Sequence, residues 1–223
     1  MGKQYVETFK EKIMTDKRWR TVFFAGCSLL INIAYACYNA YLGIANRAAW
    51  FITMSFYYIL LGVMRYGAVR TEFKISKNMI SDQRKMEYRL MRSNGIILLF
   101  LILALSGTIV LTCKQKHIIA YDTITMITIA TYTFYKITMA ITNVIKVRKN
   151  DSPLLTTIRN IGLADAAMSI LPMQTSMIAS FQKTSDGYME MMTIFTGTGI
   201  CILLMFLGVQ MIFPKHRKNA YSK

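Results

Sequence analysis

Metal-ligating and acidic side chains are scarce in this chain, which has 11 Asp and Glu and 2 His among 223 residues. The histidines, His117 and His216, lie far apart with no other ligand types gathered near either, so no metal centre and no cofactor is expected. The motifs HExxH, GxSxG and GxxxxGK[ST] are missing, as is any Asp-rich run able to hold magnesium. That excludes the hydrolases and phosphoryl-transfer enzymes built on them, and no catalytic residue is assigned. The 4 cysteines, Cys27, Cys37, Cys113 and Cys201, form no CxxC and sit in separate apolar stretches. They read as small apolar residues, and a secreted disulfide scaffold is excluded. Prolines number only 3 and charged residues only 17%, which rules out a disordered, charge-solvated chain.

What the chain has instead is apolar length. AVILMFWYC residues make up 54%, and they fall in blocks of about 20, the span of a bilayer core. Six runs qualify: 21–44, 50–69, 95–113, 119–145, 160–181 and 191–213. In lipid each must be a helix, because an unpaired strand would leave backbone N–H and C=O groups unsatisfied and the alternation of barrel strands is missing. The expected fold is all-α: one membrane domain over residues 1–223, a bundle of six transmembrane helices.

Basic charge then orients the bundle. The net charge of +16 could suggest nucleic acid, but its distribution is that of membrane topology. Twenty-two Lys and Arg fall in the N-terminal segment, the second and fourth loops with their flanks, and the tail, against four (Arg47, Lys114, Lys116, Lys183) on the other side. By the positive-inside rule both termini are cytoplasmic, and no nucleic-acid partner is expected. Trp19 and Trp50 fall at opposite interfaces as anchors. The first apolar run is span-length and not a short signal core, so it reads as a retained helix.

Little protein remains outside the bilayer. Residues 3–19, with Tyr5, Phe9 and Ile13, and residues 72–93, with Ile75, Met79, Met86 and Leu90, each carry an apolar helical stripe among basic side chains. Both are expected to be amphipathic cytoplasmic helices lying on anionic headgroups, or else offering a surface to a protein partner. Offsets between corresponding spans disagree, so no inverted repeat is assigned.

Polar residues inside the spans carry the functional reading. Ser28, Asn32, Tyr35 and Asn39 share one face of the first span, and Thr128, Thr131, Tyr135, Thr138 and Thr142 share one face of the fourth. Hydroxyls and amides at such spacing serve helix packing or line a polar cavity. Lys136 and Asp165 are the ionisable residues within the spans proper, and their depths from the cytoplasmic ends permit them to meet. Arg65, near the end of its span, is expected to snorkel to the headgroups. Pro172 falls mid-span, followed by Gln174. Together Asn32, Tyr35, Asn39, Tyr135, Lys136, Thr138, Asp165 and Gln174 form the candidate cavity lining. Small residues, Gly197, Gly199, Cys201 and Gly208 in the sixth span and Ala36 and Ala40 in the first, supply packing surfaces.

The run TYTFYKITMAITNVIKVRKNDSPLL, from Tyr132, Tyr135, Asn143 and Lys146 to Ser152 and Pro153, resembles a family of small six-span membrane proteins of gram-positive bacteria that has no assigned function. The resemblance extends loosely over most of the chain, implies a bacterial plasma-membrane protein, and lends no catalytic residues. Six spans with cytoplasmic ends are also similar to the substrate-binding subunits of energy-coupling-factor transporters, whose small-residue coupling face Ala36-x-x-x-Ala40 resembles; this is an analogy of fold. The functional expectation is transport or binding of a small solute or ion in a polar intramembrane cavity. The alternative is a non-enzymatic accessory subunit acting through helix packing and basic surfaces on a membrane-protein partner or a second copy.

Overall fold

The computed structural model describes residues 17–45, 47, 49–76, 82–114, 123–147, 152–181 and 186–213. The N-terminal stripe of Tyr5, Phe9 and Ile13, both histidines, Met79 and the basic tail lie outside the described residues, as do the side chains of Trp19 and Trp50. Among the described residues there are six helices: α1 (Lys17–Ala45), α2 (Ala49–Ser76), α3 (Gln83–Lys114), α4 (Thr123–Val147), α5 (Pro153–Phe181) and α6 (Asp186–Ile212).

Five of the six are long and apolar enough to cross a membrane: α1, α2, α3, α5 and α6. The exception, α4, has the length at 25 residues, but seven threonines, two tyrosines and Lys136 dilute its apolar content. Large apolar side chains cover the outside of the bundle: Phe24, Leu30, Leu103, Phe195 and Phe206 are all more than half exposed. A coat of this kind is an aggregation hazard in water and the natural surface in lipid.

Two expected boundaries move. The helix placed at Asn160 begins at Pro153, with Ser152 before it in the N-cap position and a first-turn bond from Thr156 N–H to the Ser152 carbonyl (3.1 Å). Ser followed by Pro is a strong helix start, because Pro gives up a donor that has no partner there anyway. The helical residues described within the amphipathic segment 72–93 belong to two helices. They extend α2 to Ser76 and open α3 at Gln83, so that Ile75 is buried and Leu90 packs on a small core of Val22, Ala25, Ala68, Leu154 and Ile158. The apolar stripe is thus used by the bundle, while Arg70, Arg84, Lys85, Arg89 and Arg92 stay on the outside.

Helix α5 is the axis of the bundle and packs against α1, α2, α3, α4 and α6. The main core gathers Tyr57, Leu61 and Met64 of α2, Leu98, Leu101 and Leu105 of α3, Ile161, Ala164, Met168 and Leu171 of α5, and Leu204 and Met211 of α6. Close approach between α3 and α6 depends on glycine. A Cβ on Gly95 would stand 3.0 Å from the Gly208 carbonyl oxygen and 2.9 Å from Ile212, and one on Gly197 would collide with Ile109. Gly199 meets nothing within 4 Å, so the expected small surface of α6 is divided between packed and open positions. In α1, Ala36 is buried and its carbonyl accepts the Ser55 hydroxyl of α2 at 2.9 Å.

Helix α4 is attached on one side only. Among the described residues it packs against α5 and against no other helix. Among the described residues the helices that carry the two polar stripes, α1 and α4, do not pack together, and Tyr35 and Tyr132 reach across between them, as described below.

Candidate functional site: a buried charge triplet beneath tyrosines

Depth can be counted along a helix from its rise per residue. Arg65 lies 11 residues before Ser76, Lys136 lies 11 before Val147, and Asp165 lies 12 after Pro153. At about 1.5 Å per residue all three sit roughly 16–18 Å from their helix ends. That common level is where they meet. Asp165 accepts from Arg65 Nη2 through Oδ2 at 2.9 Å and from Lys136 Nζ through Oδ1 at 2.9 Å, so one carboxylate ties α2 and α4 to α5. Side-chain exposures of 7% for Arg65, 5% for Asp165 and 13% for Lys136 put the triplet inside the bundle, with its slight opening on the lysine side.

The contact between Lys136 and Asp165 is the one their depth permitted. Arg65 is the residue that depth arithmetic misplaced. Its helix continues three turns past it to Ser76, and an arginine side chain reaches too short a distance to find the headgroups from there. The guanidinium is buried and Asp165 is its partner, while its Nε donor has no partner among the described residues. Two cations therefore share one anion.

Tyrosines cover the open side. Tyr35 of α1 stacks on Tyr58 of α2 (centroids 5.4 Å) and on Tyr132 of α4 (6.3 Å), bridging the gap where α1 and α4 do not pack. The Lys136 ammonium stands 5.1 Å from the centroid of the Tyr132 ring, a cation–π contact that holds the lysine under this layer. Tyr57 meets Tyr58 edge-on at 5.7 Å and donates its hydroxyl to the Ala164 carbonyl at 3.2 Å, one residue before the carboxylate. Tyr57, Tyr58 and Tyr132 were not among the expected lining. The signal was available for Tyr132, one turn before Lys136 on the same helix face.

The remaining expected residues divide. Asn32 is 1% exposed and neither side-chain atom has a partner among the described residues. It sits on α1 one turn from Tyr35, between the levels marked by the Tyr35–Tyr58 stack and by Leu29 against Gly62. An amide buried with both ends unsatisfied calls for water or a ligand. Asn39 donates to the Tyr35 carbonyl of its own helix at 2.8 Å. Gln174 has a buried Nε2 without a partner among the described residues, two residues beyond Pro172. Thr133, which no stripe predicted, is buried and bonds the Ser169 carbonyl of α5 at 3.4 Å.

Tyr135 and Thr138 do not join the triplet; both are exposed, as are Thr128 and Thr131. Threonines on this stripe need no interior partner for a definite reason. Thr128, Thr131 and Thr142 turn their hydroxyls back onto carbonyls four residues earlier, at 2.8, 2.8 and 2.6 Å, so each donor is satisfied within α4 and can face lipid. Among the described residues no three His, Cys, Asp or Glu side chains converge on a point that could hold a metal. No family model matches the chain, and no curated protein matches it.

Chemically, the arrangement offers a partly balanced charge cluster in a medium of low dielectric, unpaired N–H donors at Arg65 and Asn32, and aromatic walls. It can bind and orient a polar solute.

Proposed function

We propose that this chain is a multi-pass plasma-membrane protein, bacterial as its sequence resemblance implies, that binds and passes a small solute or ion through a hydrated site at Arg65, Lys136 and Asp165, with both termini cytoplasmic. The observation that carries this reading is the unbalanced triplet itself. Burying ionised groups costs several kcal/mol each, roughly, and a carboxylate shared by two cations leaves one of them uncompensated. Hydration or a bound solute at the lysine side would supply the balance, and it would also satisfy Arg65 Nε and Asn32. The gap between α1 and α4, across which Tyr35 and Tyr132 stack, is the route.

A second reading has its own observation. The outward face of α4, with Thr128, Thr131, Tyr135 and Thr138, has no neighbour among the described residues, which suits an accessory subunit whose α4 docks on another membrane protein or a second copy. In that reading the triplet is a dry clamp holding α4 to α5.

Thiol accessibility separates the two. In a chain whose four cysteines are replaced by alanine, Tyr35→Cys and Tyr132→Cys should react with a charged, water-soluble methanethiosulfonate, whereas Phe134→Cys on the lipid face should not. Failure at both tyrosine positions, with Ser93→Cys reacting as a positive control, would remove the hydrated site and leave the accessory reading.

A further inference from the structure

We propose that the solute taken at this site is a singly charged anion, with a small planar carboxylate fitting better than a spherical halide. The inference rests on the hydrated site proposed above and deepens it by naming the ligand's charge. Arg65 and Lys136 together present two positive charges to one carboxylate, and each Asp165 oxygen is taken by one of them. The guanidinium carries five N–H donors and the ammonium three, so most of their capacity is unused by Asp165. Arg65 Nε, buried and unpartnered among the described residues, is the clearest vacancy for an acceptor. Among the described residues no second acid has Arg65 Nε as a hydrogen-bond partner. Glu72 lies two turns further along α2, about 10 Å away in rise, and Glu87 is engaged by the Ser152 hydroxyl at 3.2 Å. An acceptor that brings one negative charge would satisfy the donors and neutralise the cluster at once. A cation would raise the surplus, and a neutral solute would leave it standing. The near-parallel faces of Tyr58, Tyr35 and Tyr132, with interplanar angles of 25° and 18°, add flat apolar walls beside the cations.

The test uses three probes of one shape and three charges: benzoate, benzamide and benzamidinium, with acetate and chloride as smaller anions. The full chain carrying Tyr35→Cys or Tyr132→Cys is placed in phosphatidylcholine vesicles, whose headgroups carry no net charge, and the rate of thiol labelling is measured with each probe. At ten times its dissociation constant a bound anion slows labelling about tenfold. Benzoate should protect most and acetate less, while benzamide and benzamidinium leave the rate unchanged. Lys136→Met should abolish the protection and Lys136→Arg should keep it. A reactive thiol that no anion protects, or one protected equally by benzamide or benzamidinium, overturns the anion inference while the hydrated site stands. A thiol that never reacts overturns both.

Discussion

Replacing Asp165 by Asn should damage the protein far more than replacing either cation it holds. In the native triplet each 2.9 Å contact is worth on the order of 5 kcal/mol of Coulomb attraction at an effective dielectric of about 20, set against desolvation of similar size. Asp165→Asn removes both attractions together and leaves two like charges at side-chain exposures of 7% and 13%. Orphaning one buried charge costs about 3–5 kcal/mol, so this variant belongs at or above the top of that range. Lys136→Met loses one attraction but also removes the surplus charge, leaving Arg65 and Asp165 as a neutral pair; its cost should be within about 1 kcal/mol. Arg65→Met leaves the complementary neutral pair and should fall between the two. For a chain of this size each kcal/mol moves the midpoint by about 2–4 °C, so thermal unfolding in detergent, followed by loss of the monodisperse fraction, separates the variants. The double variant Lys136→Met with Asp165→Asn is a further check. Were Lys136 the sole partner of Asp165, removing both would relieve the orphan; with Arg65 present the double variant still strands a guanidinium and should stay severe. Equal losses for Lys136→Met and Asp165→Asn would refute the charge accounting.

Other outcomes follow from the same geometry. Gly95→Ala should cost about 1–3 kcal/mol because its Cβ has no room against the Gly208 carbonyl, whereas Gly199→Ala, open on all sides, should gain about 0.5–1 kcal/mol, both read by the same unfolding assay. Tyr57→Phe should lose about 1 kcal/mol with the bond to the Ala164 carbonyl. Thr128→Val and Thr131→Val should lie within about 0.5 kcal/mol of the native protein, since their hydroxyls serve only their own helix. Cysteines placed at Ser76 or Ser93 should label from the cytoplasmic side alone; labelling from outside intact cells would invert the proposed topology.

The helical character of the chain and the positions of its long apolar stretches were legible because span length and backbone satisfaction leave few alternatives in lipid. Helix ends were less so. Asp165 was counted from Asn160, although Ser152 and Pro153 carry the start signal seven residues earlier, and Arg65 was counted from an end at Val69 that the helix overruns. Both errors make a buried charge look shallow, and that is why the triplet was read as a pair. The threonine face of α4 was misread for a different reason: a sequence shows a hydroxyl but not whether it bonds back to its own helix. The tyrosine bridge depends on three separate helices, α1, α2 and α4, and nothing in local spacing brings Tyr58 beside Tyr35.

The order of the charged residues along the chain bears on how the protein is made. The central helix α5 is the least apolar of the five candidate spans and also the most buried, so among them it partitions least readily into lipid alone. Its carboxylate is the last member of the triplet to be synthesised, after Arg65 on α2 and Lys136 on α4. In the proposed topology both counter-ions precede α5 out of the ribosome, so the carboxylate enters a place prepared for it. Moving the aspartate onto an earlier helix and a cation onto α5 would keep every pairing of the finished bundle and lose that advantage, leaving a weakly apolar helix to insert a charge ahead of its partners.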